Sequence, residues 1–136
     1  MPDALPTAEL CLDSAGVSLA DARAVVTEFV ARHCPWADRF AVVLTLSELL
    51  SNALRHATGW WRLRLRAWAG ELVAEVADGS AVLPRARAAD PTGAAGGLGM
   101  RLAAELTSAV EVDLDPDSAG KTVRARWRAA GPPLAE

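Results

Sequence analysis

A carboxylate and an amide lie one helical turn apart in the middle of this chain. Glu48, Asn52 and His56 are spaced four residues apart in a run of helix-forming residues. Side chains with this spacing project from one face of a helix, with Cβ atoms about 5–6 Å apart. The amide oxygen of Asn52 can ligate a hard cation, and the carboxylate of Glu48 can accept a proton. This spacing therefore permits metal–nucleotide chemistry, if the rest of the chain supplies a nucleotide site.

A further carboxylate is expected at the buried end of a strand. Residues 60–68 alternate apolar and charged side chains, and a second strand-like run at 71–78 follows after two turn residues. A hairpin with a two-residue loop sets Arg64 opposite Glu75, with apolar side chains opposite each other on the other face. The same alternation places Asp78 on the buried side of the sheet. Because burying a lone carboxylate is costly, Asp78 is a candidate ligand contact.

A cluster of glycines could bind phosphate. Gly93, Gly96, Gly97 and Gly99 lie just before or at the start of a predicted helix. Glycines allow backbone amides to approach phosphate closely, and a helix N-terminus attracts anions. The segment has no Walker A lysine, and Leu102 stands where the Rossmann fingerprint requires its third glycine. By itself the cluster is weak evidence, since a plain loop explains it equally well.

The elements that must position these residues follow from the spacing of apolar side chains. In chain order they are a strand at 8–14, helices at 18–33 and 37–57, strands at 60–68 and 71–78, a helix at 98–108, and strands at 110–114 and 123–128. This order predicts an α+β fold, a two-layer sandwich with the helices on one sheet face. Arginines at alternate positions of two strands predict a charged face toward water. A partly neutralised sheet face explains them more simply than a surface for an acidic partner does.

Length and composition indicate a small single-domain protein. The chain has 136 residues, of which 51% are hydrophobic, so it can bury a core of its own. Its net charge of −3 argues against a general nucleic-acid binder, and Cys11 and Cys34 lack metal-ligand spacing. The longest apolar stretch, 40–46, is too short to cross a bilayer, and the N-terminus lacks the pattern of a secretory signal. We therefore expect a cytoplasmic protein that binds neither membranes nor nucleic acid directly.

Three segments, taken in order, resemble the GHKL ATPase superfamily, and most closely its anti-sigma-factor serine/threonine kinases. Residues 47–57 are similar to the N box of that family, 76–80 to its first glycine box, and 96–102 to its second. The resemblance implies an ATP-binding sandwich of the Bergerat type, with a mixed, mostly antiparallel sheet and about three helices on one face. The high alanine and arginine content is typical of an actinobacterial source.

The resemblance also implies how the chain is divided. Residues 7–129 correspond to a histidine kinase-like ATP-binding domain. A flexible N-terminal tail at 1–6 and a C-terminal tail at 130–136 flank it.

Each matching residue takes an implied role from the resemblance. Glu48 is implied to be the general base that takes a proton from an attacking serine hydroxyl, and Asn52 the ligand of Mg²⁺. Asp78 is implied to accept a hydrogen bond from the adenine amino group. Backbone amides of the second glycine box are implied to hold the phosphates of ATP under a lid at 84–97. The nucleotide-binding residues implied in this way are Asn52, Arg55, His56, Asp78, Ser80, Gly96, Gly97, Leu98, Gly99, Met100 and Thr122.

The implied function is a kinase that uses ATP and Mg²⁺ to phosphorylate a serine of an antagonist protein, and so regulates transcription by partner switching. The implied partners are a sigma factor, an anti-sigma-factor antagonist, or both, and a homodimer is a further expectation. Ser80 stands where the first glycine box of the family has a glycine. Two alternatives therefore stay open: a catalytically weak nucleotide-binding regulatory scaffold, and the detached catalytic domain of a histidine kinase.

Overall fold

The computed structural model of the protein describes residues 4–56, 60–79, 109–114 and 120–129. Its elements, in chain order, are β1 (Ala8–Asp13), α1 (Leu19–His33), α2 (Arg39–His56), β2 (Trp61–Trp68), β3 (Glu71–Asp78), β4 (Ala109–Leu114) and β5 (Lys121–Arg128). The helix expected at 98–108 and the lid expected at 84–97 lie outside the described residues. All the other predicted elements are confirmed, with ends shifted by at most a few residues.

The five strands form one sheet in the order β1-β2-β3-β5-β4. The β2–β3 hairpin has the predicted register, with Arg64 opposite Glu75 and Trp61 opposite Asp78. Its turn places Gly70 at a φ of 78°, a left-handed conformation that glycine adopts at little cost. Every pairing among these described strands is antiparallel, so the mixed character that we expected is not seen in them.

Local hydrogen bonds define the two ends of α1 and join it to α2. The Ser18 hydroxyl accepts a hydrogen bond from the Asp21 backbone N–H at 3.1 Å and caps the N-terminus of α1. The helix ends at Cys34, whose backbone N–H bonds the Val30 carbonyl, and a proline follows. A third contact ties the helices together, since Arg23 Nε donates to the Ser47 hydroxyl of α2 at 2.9 Å.

The core lies between the two helices and one face of the sheet, as a two-layer sandwich requires. Helix α1 contacts β1, whereas α2 contacts β2 and β3. Period-two alternation in the strands sends one apolar set into this layer. The largest fully buried apolar side chains of this layer are Trp61, Leu46, Leu50, Leu63, Leu65, Leu72, Val26, Val30, Val42 and Val76. No helix among the described residues is long and apolar enough to span a bilayer.

The opposite face of the sheet is a balanced array of charges. By strand register it carries six arginines and six carboxylates, the arginines at 62, 64, 66, 124, 126 and 128, and the carboxylates at 9, 13, 71, 75, 111 and 113. Glu75 pairs with both Arg66 and Arg124 at 2.9 Å, and Arg126 pairs with Glu71 at 3.2 Å. With equal numbers of the two signs, this face offers no excess positive charge to an acidic partner. The structure therefore favours the simpler interpretation of the arginine stripes.

The two cysteines differ in burial, and this predicts different reactivity. Cys11 is exposed on β1, whereas Cys34 is buried at the end of α1. Burial raises the pKa of the Cys34 thiol from 9.0 to about 11, and only the thiolate is a good nucleophile. Iodoacetamide at pH 8.5 should therefore alkylate Cys11 and leave Cys34 unmodified, as read by peptide mass spectrometry. In denaturant both should react. Equal labelling of the folded protein would contradict this packing.

Candidate functional site

Helix α2 presents the two polar side chains that the spacing singled out. Asn52 is buried, with 6% of its surface exposed, and Glu48 one turn earlier is half-buried. Neither side chain has a hydrogen bond or an ion pair within the described part of the chain. The Asn52 amide atoms are not among the fully enclosed polar atoms that lack a partner, so they keep contact with the surface from which a ligand would approach. An amide held in this way is suited to a ligand that the protein itself does not supply.

The strand-end carboxylate has a cationic partner. Asp78, the last residue of β3, lies directly opposite Lys121, the first residue of β5. The ammonium nitrogen of Lys121 lies 2.9 Å from Asp78 Oδ2 and 3.1 Å from Oδ1. Both residues are only 2% exposed. The predicted position of Asp78 on the buried face is therefore confirmed, and its charge is balanced by a buried cation.

Chain connectivity brings these two parts to the same end of the molecule. Helix α2 ends at His56, and β2 begins five residues later at Trp61, which is paired with Asp78. Five residues reach at most about 17 Å even when fully extended. Because α2 also packs on β2 and β3, its C-terminal end lies on the covered face of the sheet, within about 17 Å of the strand end that carries Asp78. A ligand between helix and sheet can thus meet an amide on one side and a carboxylate on the other.

Lys121 is the functional candidate that the sequence reasoning missed. Two signals could have identified it. The alternation of Val123, Ala125 and Trp127 toward the core continues backwards to position 121, which puts a cation on the buried face. Lys121 is also the single lysine of the chain.

The structure describes only some of the remaining predicted residues. Arg55 is exposed on α2, on the same stripe as Glu48 and Asn52. His56 is the last residue of α2, and its side chain lies outside the description. The remaining six predicted residues lie outside the described ranges, one in the first glycine box and five in the second: Ser80, Gly96, Gly97, Leu98, Gly99 and Met100.

Thr122 stays a prediction, and the structure places its side chain on the other face of the sheet from Asp78. Thr122 is paired with Ala77, and the neighbouring pair is Lys121 with Asp78. Because successive side chains of a strand alternate between faces, the Thr122 side chain lies on the face opposite Asp78. There it lines a surface cavity of about 310 Å³ together with Arg62, Asp113 and other charged residues. The side chains of Thr122 and Asp78 therefore lie on opposite faces of the sheet. The core-facing place belongs to the residue before it, Lys121.

A metal ion at this site would need few protein ligands. The described residues contain no group of three or more His, Cys, Asp or Glu side chains that could hold a metal. Magnesium is commonly bound through one or two protein groups, with phosphates and water completing its octahedron. A single buried amide oxygen, that of Asn52, fits this mode of binding when a triphosphate is present.

Comparison with protein families places this site in a known context. Residues 13–127 match the model of the histidine kinase-like ATPase domain, a range that includes Glu48, Asn52, Asp78 and Lys121. No curated protein matches the sequence. The match confirms the resemblance to GHKL-type ATPases, whereas the anti-sigma subtype and the actinobacterial source stay predictions. Because the match covers well over half of its length, the chain belongs to the histidine kinase-like ATPase domain family.

Proposed function

We propose that this protein is an ATP- and Mg²⁺-dependent serine/threonine protein kinase of the anti-sigma-factor type. Membership of a histidine kinase-like ATPase family supports nucleotide binding. The observation that carries the kinase proposal is the pair of side chains on α2. Asn52 is buried without a hydrogen bond among the described residues, and Glu48, one turn away, has a carboxylate with no ion-pair partner there.

Asn52 would hold the magnesium ion through its amide oxygen. The ion, when bound, neutralises charge on the triphosphate and orients the γ-phosphoryl group. Most of the catalysis in phosphoryl transfer comes from such positioning and charge stabilisation. The burial of Asn52 serves this role because a buried side chain samples few rotamers.

Glu48 would act as the general base. Its carboxylate takes the proton of a substrate serine hydroxyl as the serine oxygen forms a bond to the γ-phosphorus of ATP. The bond between that phosphorus and the β,γ-bridging oxygen breaks, and ADP leaves with the bonding electron pair. The products are phosphoserine, ADP and one proton held by Glu48. A positioned base of this kind contributes about 10²–10⁴-fold to the rate.

Asp78 would recognise the base of the nucleotide. An ionised carboxylate is an acceptor only, and adenine presents an amino group with two N–H donors. Asp78 lies at the buried end of β3, and Asn52 lies on α2. A nucleotide between them would direct its base toward Asp78 and its triphosphate toward Asn52. Base and phosphates would then be held by different elements of the sandwich.

The proposed partners are proteins. A sigma factor, an anti-sigma-factor antagonist or both would bind the kinase in the cytoplasm, and transfer to a serine of the antagonist would switch the partner that is bound. A homodimer is part of the same proposal. These assignments follow from the resemblance of the N box and the two glycine boxes.

A second candidate function is a nucleotide-binding regulatory scaffold without efficient transfer. The observation in its favour is Ser80, which stands where the first glycine box of the family has a glycine. A side chain there would crowd the approach of backbone to nucleotide. Binding of ATP can survive such a change when the geometry of transfer does not.

A transfer assay separates the two candidates. The purified protein is incubated with Mg²⁺, ATP labelled at the γ-phosphate, and a candidate antagonist protein from the same genome, and ATP binding is measured in parallel by calorimetry. Label on an antagonist serine would support the kinase. ATP binding without transfer would favour the scaffold, and failure to bind ATP would contradict both.

A further inference from the structure

The chain has one lysine, Lys121, and this lysine lies in the candidate site. Of the 14 basic residues, 13 are arginines and one is Lys121. The arginines that pair across the outer sheet face are exposed or half-buried, whereas Lys121 is 2% exposed. An ammonium group is compact and strongly hydrated, so it is costly to bury without a charged partner. We therefore expect a function at this position that requires a buried cation.

The contact between Lys121 and Asp78 indicates what this function is. The Lys121 ammonium bonds both oxygens of Asp78, at 2.9 and 3.1 Å, and thereby fixes the plane of that carboxylate. Buried ion pairs are weak evidence for stability, because apolar residues of similar volume often replace them without loss. The pair is therefore better explained by a role of the charged Asp78 than by the stability of the fold.

We propose that Lys121 is a positioning residue for base recognition: it holds Asp78 as an oriented, ionised acceptor for the 6-amino group of adenine. This inference rests on the proposed nucleotide-binding function. An ionised carboxylate has about four acceptor sites, and the two bonds from the Lys121 ammonium use two of them. Without the cation, the carboxylate is no longer held in this orientation and turns toward water. It then no longer accepts a hydrogen bond from the amine.

A purely structural role for Lys121 makes a different prediction from a positioning role. Loss of a structural contact weakens the binding of all nucleotides alike. Loss of the oriented acceptor weakens only those with a donor at C6 of the purine. ITP is the matched probe, because it replaces the 6-amino donor of ATP with a carbonyl oxygen and keeps the ribose and triphosphate. The informative quantity is the ratio of the ITP to the ATP dissociation constant.

Titration calorimetry with Mg-ATP and Mg-ITP measures this ratio in the parent protein and in Lys121 variants. The parent should prefer ATP by about 10- to 100-fold, as expected for a hydrogen bond to a charged acceptor. Lys121→Met should reduce the ratio below about threefold, and Lys121→Arg, which keeps the charge, should retain most of it. Lys121→Gln keeps a polar side chain but removes the ammonium group, and it should also reduce the ratio below about threefold, so it tests the same prediction if the Met variant does not fold.

The outcomes are distinguishable. A parent protein that binds neither nucleotide overturns the proposed function itself. A parent that binds ATP and ITP equally leaves nucleotide binding intact and overturns the inference. A folded Lys121→Met or Lys121→Gln protein with the parental ratio also overturns it.

A second measurement requires no substitution. Because the chain has one lysine, protein labelled with ¹⁵N-lysine gives a single side-chain ammonium signal, that of Lys121. Mg-ATP should shift this signal, whereas inorganic tripolyphosphate, which lacks a base, should leave it near its original position. An unchanged signal at saturating Mg-ATP, or equal shifts with the two ligands, would overturn the role of Lys121.

Discussion

Replacing Asn52 with alanine should abolish the magnesium-dependent part of ATP binding. Asn52 is the buried side chain on α2 whose amide has no partner among the described residues, and it is the proposed protein ligand of Mg²⁺. Losing a residue that merely orients a metal ligand already costs about 10–100-fold in affinity. Losing the ligand itself is therefore expected to weaken Mg-ATP binding by roughly 100-fold or more. Calorimetric titration with ATP, with and without Mg²⁺, measures the effect.

Ser51→Ala provides the matched control, because Ser51 is the adjacent residue of α2 and has no proposed role in the site. It should bind Mg-ATP like the parent protein. The fold of Asn52→Ala should be unaffected, since the amide makes no hydrogen bond to the described residues. An Asn52→Ala protein that binds Mg-ATP with parental affinity would remove Asn52 from the metal site.

Glu48→Gln should separate chemistry from binding. Glutamine keeps the shape of the side chain and removes its capacity to take a proton, so transfer to the antagonist serine should fall by about 10²–10⁴-fold. The affinity for Mg-ATP should change by less than about threefold, because Glu48 has no proposed contact with the nucleotide. Single-turnover transfer assays with labelled ATP give the rate, and calorimetry gives the affinity.

An exposed glutamate on the other helix gives the comparison. Glu28→Gln, on α1, changes the net charge by the same amount and should transfer at the parental rate. Parental transfer by Glu48→Gln would show that another group takes the proton. A loss of ATP affinity equal to the loss of rate would instead place Glu48 in nucleotide binding.

The hairpin shows how much of the fold could be predicted from sequence. Period-two alternation, with a two-residue turn, determined that Trp61 lies opposite Asp78 and Arg64 opposite Glu75, and the structure has this register. A slip of one residue would send every apolar side chain to water, so the pattern leaves one solution. The start of α1 was also predictable from local sequence, because Ser18 caps the helix as the capping pattern of Ser18 and Asp21 indicates.

Residues that depend on pairing between distant strands were harder to predict. Lys121 meets Asp78 because β5 pairs with β3, although β4 lies between them in the chain. Local periodicity carries no information on which strands become neighbours. The face on which Thr122 lies, by contrast, follows from local alternation, because a one-residue change of position within β5 reverses the face of the sheet on which a side chain lies.

The ion pairs of the outer face also depend on strand order. The pairing of Glu75 with Arg66 could be anticipated from the hairpin, but its second bond, to Arg124, requires β5 as the neighbour of β3. Both pairs are half-buried, with the Glu75 side chain only 16% exposed. Their main effect is to leave the face without excess charge, which the net charge of the whole chain did not reveal.

A crystal structure of the protein with Mg²⁺ and a non-hydrolysable ATP analogue tests the central proposal most directly. We expect the nucleotide between α2 and the sheet, with the Asn52 amide oxygen on the metal and an Asp78 carboxylate oxygen within hydrogen-bond distance of the 6-amino group. The Lys121 ammonium should remain on Asp78. A nucleotide bound elsewhere on the protein, or a metal ion held without Asn52, would contradict the proposal.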